Sequence, residues 1–153
     1  SACCHTCSWR KERSAALFRS AEALDHLARC ASNAKDARRS VDRYLQLVRL
    51  YPKSSLADDS LCAIAEKMLC QLEQRAARSG YQLHHTPRVG QALAAKARSA
   101  YGARELRRAV DRAVEQALAD QIASGTACVG QHWTADCSAD GAIVLREDET
   151  ATL

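Results

Sequence analysis

The feature that most constrains the fold is the spacing of apolar residues in the segment after residue 60. They recur at i, i+3, i+4, i+7, i+8 and i+11, which places them on one face of a helix. These residues are Leu61, Ile64, Ala65, Met68, Leu69 and Leu72. Asp58, Asp59 and Ser60 precede the pattern as candidate N-caps, and Ser79-Gly80 follows it, with glycine suited to a left-handed cap. The sequence therefore predicts a helix from Ser60 to this Ser-Gly pair.

Proline, glycine and turn residues divide the following segment into short elements. The predicted elements are a strand over Tyr81–His85, a helix after Thr86-Pro87, a helix over Arg104–Ala123, and strands over His132–Cys137 and Ala142–Leu145. Asp140-Gly141 marks the turn between the last two strands. So few strands are stable only when helices cover them. The order helix-strand-helix-helix-strand-strand predicts a mainly helical α+β unit.

The first 55 residues have a different character. They hold 11 Lys and Arg against 5 Asp and Glu, a net charge of +6, whereas the remaining residues hold 11 against 13, a net charge of −2. We predict an irregular segment over Cys3–Trp9 and helices over Arg10–Cys30 and Asp36–Leu50, the second ended by Tyr51-Pro52. The helical hairpin faintly resembles a tetratricopeptide unit, but no second copy follows at that repeat's period. Its basic surface is consistent with nucleic-acid binding, although a solvated helical face is favoured.

The eight cysteines do not have the spacing of a secreted disulfide framework, which predicts a reducing compartment and a cytoplasmic location. Cys4 and Cys7 form a C-x-x-C, beside Cys3 and His5, and are weak candidates for zinc binding, because no second pair of ligands follows at short spacing. His84 and His85 are adjacent in a predicted strand and should point to opposite faces, so they are not expected to share a metal. No apolar run approaches 18 residues, so no membrane span is predicted.

The most informative stretch contains Tyr101, the triplet Gly102-Ala103-Arg104 and Leu106. It resembles the closing motif of the C-terminal small subdomain, or lid, of Clp-type AAA+ ATPases, in which a tyrosine and a Gly-Ala-Arg triplet precede a long final helix. The resemblance covers residues 56–147, since the upstream helix, the Gly80-Tyr81 junction and the terminal hairpin occur in the same order and spacing. Residues 1–55 are not covered.

The resemblance implies that Arg104 is the sensor 2 arginine, which contacts the terminal phosphate of ATP. A guanidinium suits that role because it is permanently charged, and the start of a helix favours anions. The resemblance also implies nucleotide contacts for Gly102 and Ala103, and it places Ile64 near the adenine ring, with burial in the core as the other interpretation. Glu105 departs from the family, which often has proline after the triplet, and it adds a negative charge beside Arg104.

The resemblance further implies a parent protein that is a ring-forming, ATP-driven unfoldase. Its partners would be the large AAA+ subdomain, neighbouring ring subunits, and a protease ring or an unfolded substrate. ATP would be shared with the large subdomain, and Mg2+ would bind only in the intact parent. The chain itself contains no Gly-x-x-x-x-Gly-Lys-Ser/Thr loop and no acidic pair after an apolar strand, so it should not hydrolyse ATP alone.

The sequence leaves other interpretations open. Residues 1–55 are either a genuine fused helical domain or a mis-joined region, residues 56–147 are the Clp-type small domain, and residues 148–153 are an acidic tail. The alternative function is a non-enzymatic, tetratricopeptide-like scaffold for protein interaction. A small basic nucleic-acid binder is a third and weaker hypothesis.

Overall fold

The computed structural model describes the backbone of residues 2–31, 34–98 and 103–148, and the side chains of residues 8–26, 35–98 and 104–148. Contacts divide the chain into two compact units, Ser1–Ile64 and Ala65–Leu153. The division falls inside one helix, so the domain boundaries expected from the sequence stay predictions. Within the described residues, no helix is both long enough and apolar enough to cross a membrane.

The first unit contains two long helices, α1 (Ala2–Ala31) and α2 (Ala34–Leu50), which pack against each other. The ring of Phe18 meets the ring of Tyr44 edge to face, with centroids 5.6 Å apart. Ser14 and Ser40 are buried, and each hydroxyl donates to a backbone carbonyl three residues earlier, so burial leaves neither hydroxyl unsatisfied. The helical hairpin expected from the sequence is confirmed.

The start of α1 corrects one expectation. Cys3–Trp9, predicted to be irregular, is helical. Neither glycine nor proline occurs in the sequence before Pro52, so no residue of the kind that ends a helix separates this segment from the amphipathic stretch after it.

The start of α3 (Ser55–Arg78) also differs from the prediction. The helix begins one turn before Ser60, because Ser54 is its N-cap: the Ser54 hydroxyl accepts a hydrogen bond from the Leu56 N–H at 3.3 Å. Ser60 is fully buried, and its hydroxyl donates to the Leu56 carbonyl at 2.7 Å. Ser60 therefore bonds back along the helix, which is the arrangement for a serine in a helix interior and not at its start.

The end of α3 is as predicted. The Gly80 N–H donates to the Ala77 carbonyl and the Tyr81 N–H to the Ala76 carbonyl, both at 3.0 Å. Gly80 has a φ of 89°, so the helix closes with a left-handed glycine cap of the Schellman type. The chain then enters strand β1 (Gln82–His85) and helix α4 (Pro87–Arg98).

The long helix predicted over Arg104–Ala123 is present with an irregularity. It consists of α5 (Ala103–Val110), a π-helical turn (Asp111–Glu115) and α6 (Gln116–Ala123). At the end of the turn, the Gln116 N–H donates to the carbonyl of Asp111, five residues earlier. The π-helical turn was not predicted, since residues 104–123 show no break in their apolar pattern. The expected interruption at Gly102 lies outside the described residues.

A three-stranded sheet completes the second unit, with β2 (His132–Cys137) and β3 (Ile143–Glu147) in the order β1-β2-β3. β1 runs parallel to β2, and β2 pairs with β3 as the predicted antiparallel hairpin. The parallel pair requires a long crossover, which α4, α5, the π-helical turn and α6 supply. Buried side chains from the sheet and helices form the core, among them Leu69, Leu83, Val89, Leu93, Leu106, Val114 and Trp133. The mainly helical α+β fold is confirmed.

Candidate functional site

The helix that carries the predicted sensor is anchored by its apolar face. Leu106 and Val110 of α5 and Val114 of the π-helical turn are buried, each with at most 2% of its surface exposed. Their spacing of four residues places them on the same side of the helix. The opposite side is therefore fixed toward solvent, and it carries the basic residues of α5.

Arg104 lies in the first turn of α5 and is exposed. The next residue, Glu105, forms an ion pair with Arg108 at 2.7 Å along the same helix. Arg107 is also exposed. The negative charge that the sequence placed beside Arg104 is thus partly balanced by Arg108 within α5, although such an exposed pair adds little to stability.

The other predicted nucleotide contacts are less fully described. Gly102 lies outside the described residues, and of Ala103 only the backbone is described, as the first residue of α5. Ile64 is buried, with 1% of its surface exposed, and it belongs to the first unit, whereas Arg104 belongs to the second. The nucleotide role of these four residues stays a prediction.

The structure contains an ionic cluster that the sequence analysis missed, formed by Glu66, His85 and Glu73. His85 Nε2 lies 2.7 Å from Glu66 Oε2, and His85 Nδ1 lies 2.5 Å from Glu73 Oε1. The imidazole side chain is 10% exposed, whereas the Glu66 and Glu73 side chains are 43% and 25% exposed. The cluster joins two positions of α3, two turns apart, to the end of strand β1.

Strand alternation directs His85 into this cluster. Leu83 and His85 face the helices, whereas His84 is exposed on the other face, so the predicted opposition of the two histidines is confirmed. His84 stacks instead on His132, with ring centroids 6.4 Å apart. The signal in the sequence that could have located the cluster is the seven-residue spacing of Glu66 and Glu73 on α3, together with the inward position of His85.

Opposing effects act on the pKa of His85. Burial alone would lower it, but hydrogen bonds to Glu66 and Glu73, and the negative charges of both carboxylates, outweigh burial and raise the pKa above 6.5. The geometry agrees, because an imidazole can donate from both nitrogens only when it is protonated. The geometry is therefore that of a protonated imidazole held between two carboxylates.

Among the residues whose side chains are described, no group of three or more His, Cys, Asp and Glu is arranged to hold a metal ion. Both His85 nitrogens already face carboxylates, so the imidazole has no lone pair directed at a metal. Cys4 and Cys7 lie within α1, but their side chains are outside the described residues, and zinc binding there stays a weak prediction.

The mainly helical α+β fold is the one that the resemblance to a small AAA+ subdomain predicts. Residues 56–135 match the family model of the C-terminal, D2-small domain of ClpB protein. The match runs from the first turn of α3 into strand β2 and covers just over half of the chain. The chain therefore belongs to the family of C-terminal small domains of Clp-type AAA+ ATPases.

The chain is also similar to a longer Clp protein. It is 35% identical over 91 residues to the ATP-dependent Clp protease ATP-binding subunit ClpA homolog of Pyropia yezoensis. The matched segment is 59% of this chain and 11% of that relative. The chain thus spans only about a tenth of the length of the relative it matches.

Proposed function

We propose that this chain acts as the nucleotide-responsive lid of an ATP-dependent Clp-type chaperone or unfoldase, and that Arg104 contacts the terminal phosphate of bound ATP. The observation that carries the proposal is the position of Arg104: exposed, in the first turn of α5, on a helix whose opposite face is buried. A guanidinium in that position can donate two hydrogen bonds to a phosphate without moving the helix.

The residues of the chain fit part of a nucleotide site. Arg104 supplies a permanent positive charge, and its neighbour Glu105 is held by Arg108. The sequence has no phosphate-binding loop, so the loop that cradles ATP and the acids that hold Mg2+ would come from a large AAA+ subdomain. Magnesium-bound ATP would supply the charge that Arg104 detects, and the lid would respond by changing its position relative to the large subdomain.

A chimeric ATPase tests this proposal directly. Residues 56–148 would replace the C-terminal small domain of an active Clp-type ATPase, and ATP hydrolysis and substrate unfolding would be measured. We expect the chimera to be active and Arg104→Ala to reduce both activities at least tenfold. Arg78→Ala is the matched control, since Arg78 is also an exposed arginine, at the end of α3. Equal activity of the two arginine variants would contradict the sensor assignment.

The proposed partners follow from the same function. They are the large AAA+ subdomain, neighbouring ring subunits, and a protease ring or an unfolded protein substrate. We also propose a cytoplasmic location, which the cysteine spacing supports. Size-exclusion chromatography of the chimera with and without ATP tests ring assembly, and failure of the chimera to assemble, where the unmodified ATPase does, would argue against the proposed subunit contacts.

A second candidate function is supported by the first unit. The α1–α2 pair, packed through Phe18 and Tyr44, has the form of a helical protein-interaction scaffold. Crosslinking of the full chain in a native extract, compared with residues 56–153, would show whether residues 1–55 recruit a partner. Identical crosslinked proteins for both would contradict this function.

A further inference from the structure

The cluster of Glu66, His85 and Glu73 joins elements that are distant in the sequence. Glu73 is 12 residues and Glu66 is 19 residues from His85 along the chain. All three side chains belong to the second unit, and they connect the middle of α3 to the edge strand β1. The cluster lies apart from the α5 motif in the sequence, and the proposed sensor mechanism does not use it.

We propose that Glu66, His85 and Glu73 form a proton-dependent latch that fastens α3 to β1 while His85 is protonated and loosens when His85 loses its proton. With the imidazolium in place, each ring nitrogen donates to one carboxylate. A neutral imidazole keeps one N–H, and its other nitrogen becomes an acceptor that faces a carboxylate, which is also an acceptor. Loss of the proton to solvent therefore breaks one of the two bonds and replaces it with a repulsive contact.

Exposure indicates which bond opens. The Glu66 side chain is 43% exposed and can turn into water, whereas the Glu73 side chain is 25% exposed. The tautomer with the proton on Nδ1 keeps the bond to Glu73, and Nε2 then faces Glu66 without a hydrogen. The latch opens at Glu66.

Small residues of α4 and β2 lie beside the latch. From α4, Gly90 faces Glu66, and a β-carbon at position 90 would overlap the Glu66 carboxylate. From β2, the residue paired with His85 is Ala135, which carries no charge. The nearest carboxylate on β2, that of Asp136, accepts a hydrogen bond from Thr86 at 2.8 Å.

The charged groups near His85 are consistent with a latch that depends on its proton. Glu66 and Glu73 of α3 are the charged groups that raise the pKa of His85. Hydrogen bonds from the Thr86 hydroxyl and the Cys137 N–H, helped by the charges of Arg146 and Arg88, hold the pKa of Asp136 below 3.8, so Asp136 stays ionised across the range in which His85 titrates.

Titration of the imidazole protons by nuclear magnetic resonance, on the full chain, tests the latch. We expect His85 to titrate above 6.5, and Glu66→Gln and Glu73→Gln each to lower the His85 midpoint. The α3 amides near Glu66 should shift, and exchange faster with solvent, with the same midpoint as His85.

Two controls keep the test decisive. His84→Gln should leave the α3 changes in place, whereas His85→Gln should remove them. If His85→Gln does not fold, the two glutamine variants at positions 66 and 73 still answer the question. A His85 midpoint at or below 6.5, or α3 amides whose shifts do not follow the His85 titration, would overturn the proposal.

Discussion

Gly90 of α4 lies directly against Glu66 of α3, and a β-carbon at position 90 would overlap the Glu66 carboxylate oxygen Oε1. Glycine in a helix interior ordinarily costs about 0.5–1 kcal/mol relative to alanine. Its presence here leaves the space in which the Glu66 carboxylate reaches His85. Glycine at position 90 therefore lowers the helix propensity of α4, and in return it permits the ion pair between Glu66 of α3 and His85 of β1.

The substitution Gly90→Ala measures how the gain in helix propensity compares with the loss of the Glu66–His85 ion pair. In a Glu66→Ala background the alanine should stabilise the second unit by about 0.5–1 kcal/mol, since only helix propensity remains. In the natural chain the same exchange should give no gain or a loss, because the Glu66 carboxylate must leave His85. Urea denaturation of the four proteins in this double-mutant cycle gives the coupling. Equal effects of Gly90→Ala in the two backgrounds would mean that the contact has no energetic weight.

The His85 cluster predicts the direction in which stability changes with pH. Because the pKa of His85 is raised in the folded chain, its stabilisation is fully present below the unfolded value of 6.5 and is lost as pH rises through the folded value. Within that window the unfolding equilibrium constant should rise by up to about tenfold per pH unit, the limit for one linked proton. Fluorescence of the buried Trp133 follows unfolding of the second unit, in a Trp9→Phe background.

The control for this pH dependence is the neighbouring histidine. His84→Gln should keep the slope between stability and pH, and His85→Gln should flatten it. A slope that survives His85→Gln would assign the linked proton to another group.

Gly80 should be among the least replaceable residues of the second unit. Its φ of 89° strains any residue with a β-carbon, at a cost of roughly 1–2 kcal/mol, and that β-carbon would also lie 2.9 Å from Val129 Cγ1. Gly125 is the matched control, since its φ is 75° at the end of α6 and a β-carbon there meets nothing within 4 Å. We expect Gly80→Ala to cost more than Gly125→Ala, and Val129→Ala to recover the difference.

Thermal denaturation of these variants checks the prediction. If Gly80→Ala and Gly125→Ala lower the melting temperature equally, and Val129→Ala recovers nothing, the close approach of Val129 has no effect on stability.

The N-cap of α3 distinguishes the observed helix start from the one predicted. Ser54→Ala should cost about 1 kcal/mol, because it removes the acceptor of the Leu56 N–H. Asp59→Ala, at one of the three candidate caps in the sequence, should change stability by less than about 0.5 kcal/mol, since Asp59 is an exposed residue inside the helix. Circular dichroism during urea denaturation measures both. A larger loss of stability in Asp59→Ala than in Ser54→Ala would support the later start of α3 that the sequence predicted.

Local signals in the sequence predicted much of this fold. The apolar face of α3, the Gly80 cap and the Asp140-Gly141 turn depend on residues within a few positions of each other, and each is confirmed. The predicted start of α3 was wrong because three good capping residues, Asp58, Asp59 and Ser60, follow the true cap within two turns. Capping propensity alone does not rank them, whereas the buried position of Ser60 does.

Features that depend on distant residues were not predictable in the same way. The pairing of His85 with Glu66 depends on how β1 packs against α3, across 19 residues of chain. The π-helical turn at Asp111–Glu115 adds a residue to one turn without interrupting the apolar pattern, so the sequence carries no mark of it. By contrast, Arg104 could be proposed as a sensor from the sequence motif alone, because the proposed role depends on the family resemblance and on a position at the start of a helix.

The most direct test of the central claim is the nucleotide preference of the chimera that carries residues 56–148. Affinities for ATP and ADP would be measured with Arg104 present, with Arg104→Ala, and with the control Arg78→Ala. If Arg104 contacts the terminal phosphate, its removal should weaken ATP binding about tenfold or more and leave ADP binding nearly unchanged, a difference of about 1.4 kcal/mol. An ATP-to-ADP preference that is the same in all three proteins would contradict the account.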